Sequence, residues 1–223
     1  NQINTSNTLT IAGTVSAGTA GTKTLQLYPS GTIDIQGVIS DGSGTVLVNP
    51  DRGLIKLSNA SNSFSGGVKI RSATLEVSSI GNAGSTSSLG TSGTITLGNN
   101  DANAATLKYT GSGETSDKIL TCNQNGARCV VMQSGTGNLK FTPNYSQAGS
   151  GTRTIVFSGS TTGTGEFVGT IGDNGANASS LSKEGTGTWT LSGANTYTGT
   201  TSVSAGSLYL NGTQAAGTVG AVT

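Results

Sequence analysis

Residues Glu184–Gly212 read EGTGTWTLSGANTYTGTTSVSAGSLYLNG, and more than half of them are glycine, threonine or serine. That composition would suit a flexible linker, but the apolar residues are too orderly for one. Trp189 and Leu191 alternate with Thr188, Thr190 and Ser192, Val203 sits between Ser202 and Ser204, and Leu208 and Leu210 flank Tyr209. Period-two alternation sends one set of side chains into a core and the other toward solvent. The SGAN and SAG segments between the runs turn the chain. The same grammar recurs in TLTIAGTV, GTIDIQGVI, GTITLG, ATLKYTG, NLKFT and RTIVFSG. Nowhere do apolar residues recur at i, i+3, i+4 and i+7 over a helical length, so the chain reads as all-β.

The remaining composition limits what such a fold can be for. Among 223 residues there are 36 glycines and only 3 prolines, with 9% charged residues and a net charge of +1. A disordered chain usually adds high net charge or proline enrichment to low hydrophobicity. The 32% apolar content fits a thin core shared among many short strands. Balanced charge argues against a nucleic-acid groove, which needs clustered lysine and arginine. No run approaches the roughly 18 apolar residues of a spanning helix, so no transmembrane segment is expected in this chain. Few lysines and glutamates, abundant threonine, serine and asparagine, and two close cysteines fit an extracytoplasmic protein.

Laying the two ends of the chain side by side exposes a long internal repeat. TKTLQL (Thr22–Leu27) resembles TRTIVF (Thr152–Phe157) at an offset of 130. GTIDIQGVISD (Gly31–Asp41) resembles GTGEFVGTIGD (Gly163–Asp173) at an offset of 132. Gly53–Val77 resembles Gly187–Leu210 with offsets of 134 falling to 133. Residues 8–90 thus resemble 139–223, and a middle segment of about 91–130 occurs once. A repeat made only of short strands and turns predicts one β-solenoid over residues 1–223, with coils stacked along an axis. Coils of roughly 20–25 residues predict about ten coils and a rod roughly 45–50 Å long.

Residues Leu181–Gly212 closely resemble the passenger-associated transport repeat of bacterial autotransporter-type proteins, with the pattern GxGxWxLSGxNTYTGxTxVxAGxLxL. Leu47–Val77 carries a degenerate copy: Ile55 replaces the tryptophan, Phe64 replaces the tyrosine, and one extra residue precedes Phe64. The resemblance implies a right-handed parallel β-helix, a handedness that parallel crossovers also favour. It also implies display or secretion by a Gram-negative-type bacterium, and a repeat that serves secretion and folding more than chemistry. The membrane-anchoring barrel that follows such passengers is not part of this sequence, which suggests either a cleaved portion or a recruited repeat.

A search for chemistry finds little. The chain has no histidine, which removes Ser-His-Asp arrangements and imidazole acid–base work. No catalytic residue, cofactor or metal site is expected. Asp34 with Asp41, and Glu166 with Asp173, occupy matching places in the two units. They could pair as a glycosidase couple or a calcium site. Their repetition favours a structural role instead, with Asp34 and Glu166 facing solvent and Asp41 and Asp173 in turns. Cys122 and Cys129 flank Asn125-Gly126, a strong hairpin signal, so a short hairpin near residues 120–131 is expected to bring them together. A disulfide is the favoured state, with free thiols the alternative, while two thiols alone make a poor metal site. Tyr28, Tyr109, Tyr145, Tyr197, Tyr209 and Trp189 could form a sugar-stacking platform. The alternation instead places Trp189 and Tyr197 in the core and leaves Tyr209 outward.

The sequence therefore predicts an extracellular or cell-surface structural protein of bacterial origin, a rod, stalk or fibre. Its role would rest on the inward residues Trp189, Leu191, Tyr197, Val203, Leu208 and Leu210, and on their counterparts Ile55, Leu57, Phe64, Ile70, Leu75 and Val77. Both ends read as uncapped, which suggests either a piece cut from a longer solenoid or head-to-tail contact between copies and hence a filament. An adhesin that grips a glycan or host protein is the second expectation. A polysaccharide-cleaving β-helix enzyme is the remote third.

Overall fold

The computed structural model describes residues 7–99, 103–123, 125–126, 128–160 and 162–214, and among these it contains strands, turns and no helix. The strands in the first part of the chain are β1 (Thr8–Ile11), β2 (Val15–Ala17), β3 (Thr22–Leu27), β4 (Thr32–Ile35), β5 (Ile39–Gly42), β6 (Thr45–Pro50) and β7 (Leu54–Leu57). There follow β8 (Val68–Ile70), β9 (Thr74–Val77), β10 (Thr94–Leu97), β11 (Ala105–Tyr109), β12 (Glu114–Ser116), β13 (Ile119–Asn123), β14 (Arg128–Gln133) and β15 (Asn138–Phe141). The last are β16 (Ser146–Ala148), β17 (Arg153–Gly159), β18 (Thr164–Phe167), β19 (Ser179–Lys183), β20 (Thr188–Leu191), β21 (Thr201–Val203) and β22 (Ser207–Leu210).

All named strands pair in parallel. The longest sheet stacks nine of them in the order β1-β4-β7-β9-β11-β14-β17-β19-β21. A six-stranded sheet, β3-β6-β8-β10-β13-β16, and a five-stranded sheet, β12-β15-β18-β20-β22, form two further faces, while β2 and β5 pair on their own. This is a β-solenoid. Successive strands of the long sheet lie 24 residues apart at Thr8 and Thr32, 20 apart at Leu54 and Thr74, and 32 apart at Thr74 and Thr106. Nine stacked strands make eight steps and a described length of about 38 Å. That is shorter than the roughly ten coils expected, because the long turns absorb residues without adding rise.

The two copies of the repeat do not sit on the same faces. β4 lies in the long sheet, yet its counterpart β18 lies in the five-stranded one; β7 and β20, and β9 and β22, are related in the same way. β3 and β8 belong to the six-stranded sheet, whereas their counterparts β17 and β21 belong to the long sheet. From β4 the chain revisits the long sheet at β7, β9, β11, β14 and β17 before reaching β18. The repeat therefore advances by five whole turns and one face. The middle segment is ordinary solenoid, contributing β10 to β14 to all three sheets.

The expected hairpin does not form. β13 pairs with β10 and β16, and β14 pairs with β11 and β17, each in a different sheet. Asn-Gly is a local signal for reversal, but here each strand finds a parallel partner in the coils on either side. Gly126, at φ 77°, helps turn a corner between faces instead. Cys122 and Cys129 are fully buried and joined by a disulfide across that corner, with Cα atoms 5.8 Å apart. The bridge closes a short loop and is expected to contribute about 2–3 kcal/mol by the chain-entropy model. Urea midpoints that are the same with and without reductant would rule out such a contribution.

The core follows from the alternation. In the first unit Ile55, Leu57, Phe64, Ile70, Leu75 and Val77 are all buried. In the second, Trp189, Leu191 and Tyr197 are buried, and the filling becomes aromatic. Phe167 packs against Phe141, Tyr145 and Phe157 at ring separations of 6.4, 5.7 and 5.9 Å, and Phe157 lies 4.5 Å from Trp189. Val203, Leu208 and Leu210 depart from expectation and are only half-buried. β21 and β22 each end their sheets among the described residues, so each is flanked on one side only. Buried cations seal several corners: Lys183 Nζ donates to the carbonyls of Glu184, Gly185 and Ala205, and Arg153 to those of Cys122, Ala148 and Gly151. The expectation of uncapped ends falls at residues 1–6 and 215–223, outside the described residues.

Candidate functional site

The matching carboxylates act as rungs between coils. Ser58 Oγ, one coil on, donates to Asp34, which also accepts from Gln36 Nε2 at 2.8 Å. The counterpart Glu166 accepts from Ser192 Oγ at 2.9 Å and pairs with Lys140 at 3.1 Å. Asp41 accepts the Val46 N–H at 2.8 Å and the Ser65 N–H at 2.9 Å. Asp173 likewise accepts the N–H groups of Ser179 and Thr198 and the Thr198 hydroxyl, at 2.8, 3.0 and 2.6 Å. Each carboxylate is thus engaged in holding the next turn of chain. Among the described residues no three or more acidic or cysteine side chains converge as a metal site would require.

These rungs have a pH signature. Burial pushes the Asp41 carboxyl up, but hydrogen bonds from Ser65 and Val46 outweigh it and hold the group below its ordinary 3.8. Asp173 behaves alike, with burial opposed by Thr198 and Ser179. A carboxylate whose folded pKa is depressed stabilises the fold above its unfolded pKa and loses that contribution as pH falls through the folded value. The urea midpoint should therefore hold from neutral pH to about pH 5 and drop below about pH 4. Asp41→Asn/Asp173→Asn should show a smaller drop, and an identical acid limb would assign the effect to other groups.

Asparagine supplies a second rung that the alternation alone did not reveal. Asn62 and Asn195 are each 1% exposed, and their Oδ1 atoms accept the N–H groups of Ile39 at 2.8 Å and Ile171 at 2.9 Å. The signal lay in the matched NSF and NTY triplets of the two copies, which keep the asparagine while the aromatic changes.

The surface offers one feature of a different kind. Along the corner between the six-stranded and nine-stranded sheets runs an open groove of about 670 Å³, lined by Tyr28, Asp51, Arg52, Arg71 and Asn103 among others. These residues come from four successive coils, in the turns before β4, β7, β9 and β11. Gly53 allows the tight corner, with φ 65° and space for no side chain, since a Cβ there would stand 2.8 Å from the Gly31 carbonyl oxygen. Asp51 pairs with Arg71 at 3.2 Å and accepts from Gln26 at 3.4 Å. The Arg52 guanidinium lies 4.7 Å from the centre of the Tyr28 ring, and Tyr28 is 54% exposed. Of the aromatic residues weighed as a platform, Trp189, Tyr109, Tyr145 and Tyr197 are buried, whereas Tyr28 and Tyr209 are exposed. Asp51, Arg52 and Arg71 escaped sequence reading because they occupy corners. Their convergence with Tyr28 depends on coil lengths of 20 to 24 residues, which no local pattern displays.

Two comparisons with known proteins bear on this arrangement. Residues 55–77 and 181–210 match the family model described as the passenger-associated-transport-repeat. Over 153 residues, 67% of this chain, the sequence is 35% identical to the adhesin BmaC autotransporter of Brucella suis biovar 1 (strain 1330), and the match spans 4% of that protein's length. No solved structure matches the chain.

Proposed function

We propose that this chain, which carries two passenger-associated transport repeats, is a stretch of bacterial surface-displayed β-solenoid of the adhesin passenger type. Its work is to form a stiff shaft and to present binding surfaces along it. The observation that carries this reading is the unbroken parallel sheet of nine strands over a continuous buried core. Each coil is held by its neighbours through backbone ladders, and coils in both copies of the repeat also by aspartate and asparagine rungs, which suits an extended, load-bearing element. The similarity to an adhesin autotransporter supports reading such a shaft as lying at the cell surface or beyond it, with mechanical and adhesive work.

Antibodies raised against the folded chain should label intact cells of the organism that makes it, and brief protease treatment of those cells should remove the signal. Labelling only after the cells are broken would overturn the reading. Head-to-tail assembly is a finer form of the same proposal, supported by parallel ladders whose edges could accept another copy in register. Electron microscopy of the purified chain would show fibres if copies stack, and single short rods if they do not.

A further inference from the structure

We infer that the corner groove around Tyr28 and Arg52 is a binding site for an acidic carbohydrate, one carrying carboxylate or sulfate groups. The inference builds on the surface reading only in that a displayed shaft would meet such a ligand. The site itself stands on its own chemistry.

Three observations carry it. First, Arg52 is exposed, and among the described residues its guanidinium makes no hydrogen bond or ion pair. It lies against the Tyr28 ring, which orients the planar fork without using any of its N–H donors. A guanidinium held in this way is prepared for bidentate contact with a carboxylate or sulfate. Second, Tyr28 exposes more than half of its surface at the same place. An exposed aromatic face beside a polar cleft can stack against the C–H face of a sugar ring. Third, the groove continues along the solenoid axis past Arg71 and Ser72 to Asn103. Four corners at the strand spacing span about 14 Å, which suits an oligosaccharide better than a single sugar.

The charge pattern selects this ligand over a nucleic acid. Arg71 is already paired with Asp51, so the groove offers one uncommitted cation beside an acidic group. A polyphosphate backbone calls for a stripe of lysine and arginine, and the chain's net charge is only +1. An acidic sugar needs a single well-oriented fork with polar neighbours for its hydroxyls. Asp51, Asn103 and Ser72 provide acceptors and donors along the same wall.

The test is titration calorimetry and NMR on the folded chain at low salt. The probes are tetragalacturonate, its neutral methyl ester, a sulfated tetrasaccharide and oligo-dT. Binding is expected for tetragalacturonate or the sulfated probe, or for both, and the pattern shows which anion the site takes. The neutral ester should bind at least about tenfold more weakly. Arg52→Gln should cost a similar factor and remove most of the salt dependence, and Tyr28→Ala should weaken binding without changing that dependence. Both residues are exposed, so circular dichroism of the variants should match the parent. No binding by either acidic probe, equal affinity for the methyl ester, or undiminished affinity in Arg52→Gln would each overturn the inference. Binding of oligo-dT alone would also do so, replacing it with a nucleic-acid site. None of these results bears on whether the shaft is displayed at the surface, which the cell-labelling experiment decides separately.

Discussion

Replacing Trp189 by alanine should lower the free energy of unfolding by about 3–5 kcal/mol, the largest loss expected for any single truncation in this chain. The indole is 1% exposed, its Nε1 donates to the Ser158 carbonyl at 2.9 Å, and its ring lies 4.5 Å from that of Phe157. Truncation therefore opens a cavity, orphans a buried carbonyl contact and ends the aromatic stack at Phe157. A solenoid distributes its stability over neighbouring coils, so the damage should be greatest near β18, β20 and β22. Urea denaturation gives the size of the loss, and hydrogen exchange its location. A loss below about 1 kcal/mol would mean that the side chain is not enclosed. Uniform loss of protection along the rod would show the solenoid unfolding as one unit.

A second large effect is expected one coil below. Gly165 of β18 is paired with Trp189 in register, and a Cβ built on it would stand 2.3 to 2.5 Å from three atoms of the indole. The ring occupies the space that a side chain at 165 would take. Gly165→Ile should therefore cost about 3 kcal/mol or more through overpacking. The first copy of the repeat shows how the conflict is resolved. Ile33 and Ile55 occupy the counterpart positions, paired in the same way, and both are buried. Two medium side chains there do the work of one large and one absent here. Gly165→Ile/Trp189→Ile recreates that pair and should recover most of the loss caused by Gly165→Ile alone. Denaturation of the four members of this cycle measures the coupling; simple additivity would show that the two positions do not share one volume.

Much of this architecture was legible because solenoid strands advertise themselves locally. In TIDI, LIKL, TLEV and TWTL the second and fourth residues are the buried ones, as the alternation predicts. The matched segments also placed the carboxylate pairs in equivalent positions, although Asp41, expected in a turn, lies within β5, where its carboxylate reaches the Ser65 N–H one coil on. The hairpin expectation failed because Asn125-Gly126 specifies a change of direction without saying which partner the next strand will take. Val203, Leu208 and Leu210 were read by parity alone, and parity cannot say how many coils flank a strand.

The binding groove marks the same boundary. Tyr28 stood out as an aromatic residue, but nothing near it in the chain suggested Arg52, 24 residues on, or Asn103, three coils further along. What the sequence by itself determined is the local alternation of inward and outward residues, the all-β class, the family resemblance and the length of the repeat. Each of these is written in residues a few positions apart or in segments that can be aligned. What only the tertiary structure decided is which face each strand joins, including the one-face rotation between the two copies, and which corner residues meet. Those depend on the summed lengths of turns that vary between coils, and a turn's length changes the rotation of everything after it while leaving the pattern of every strand intact.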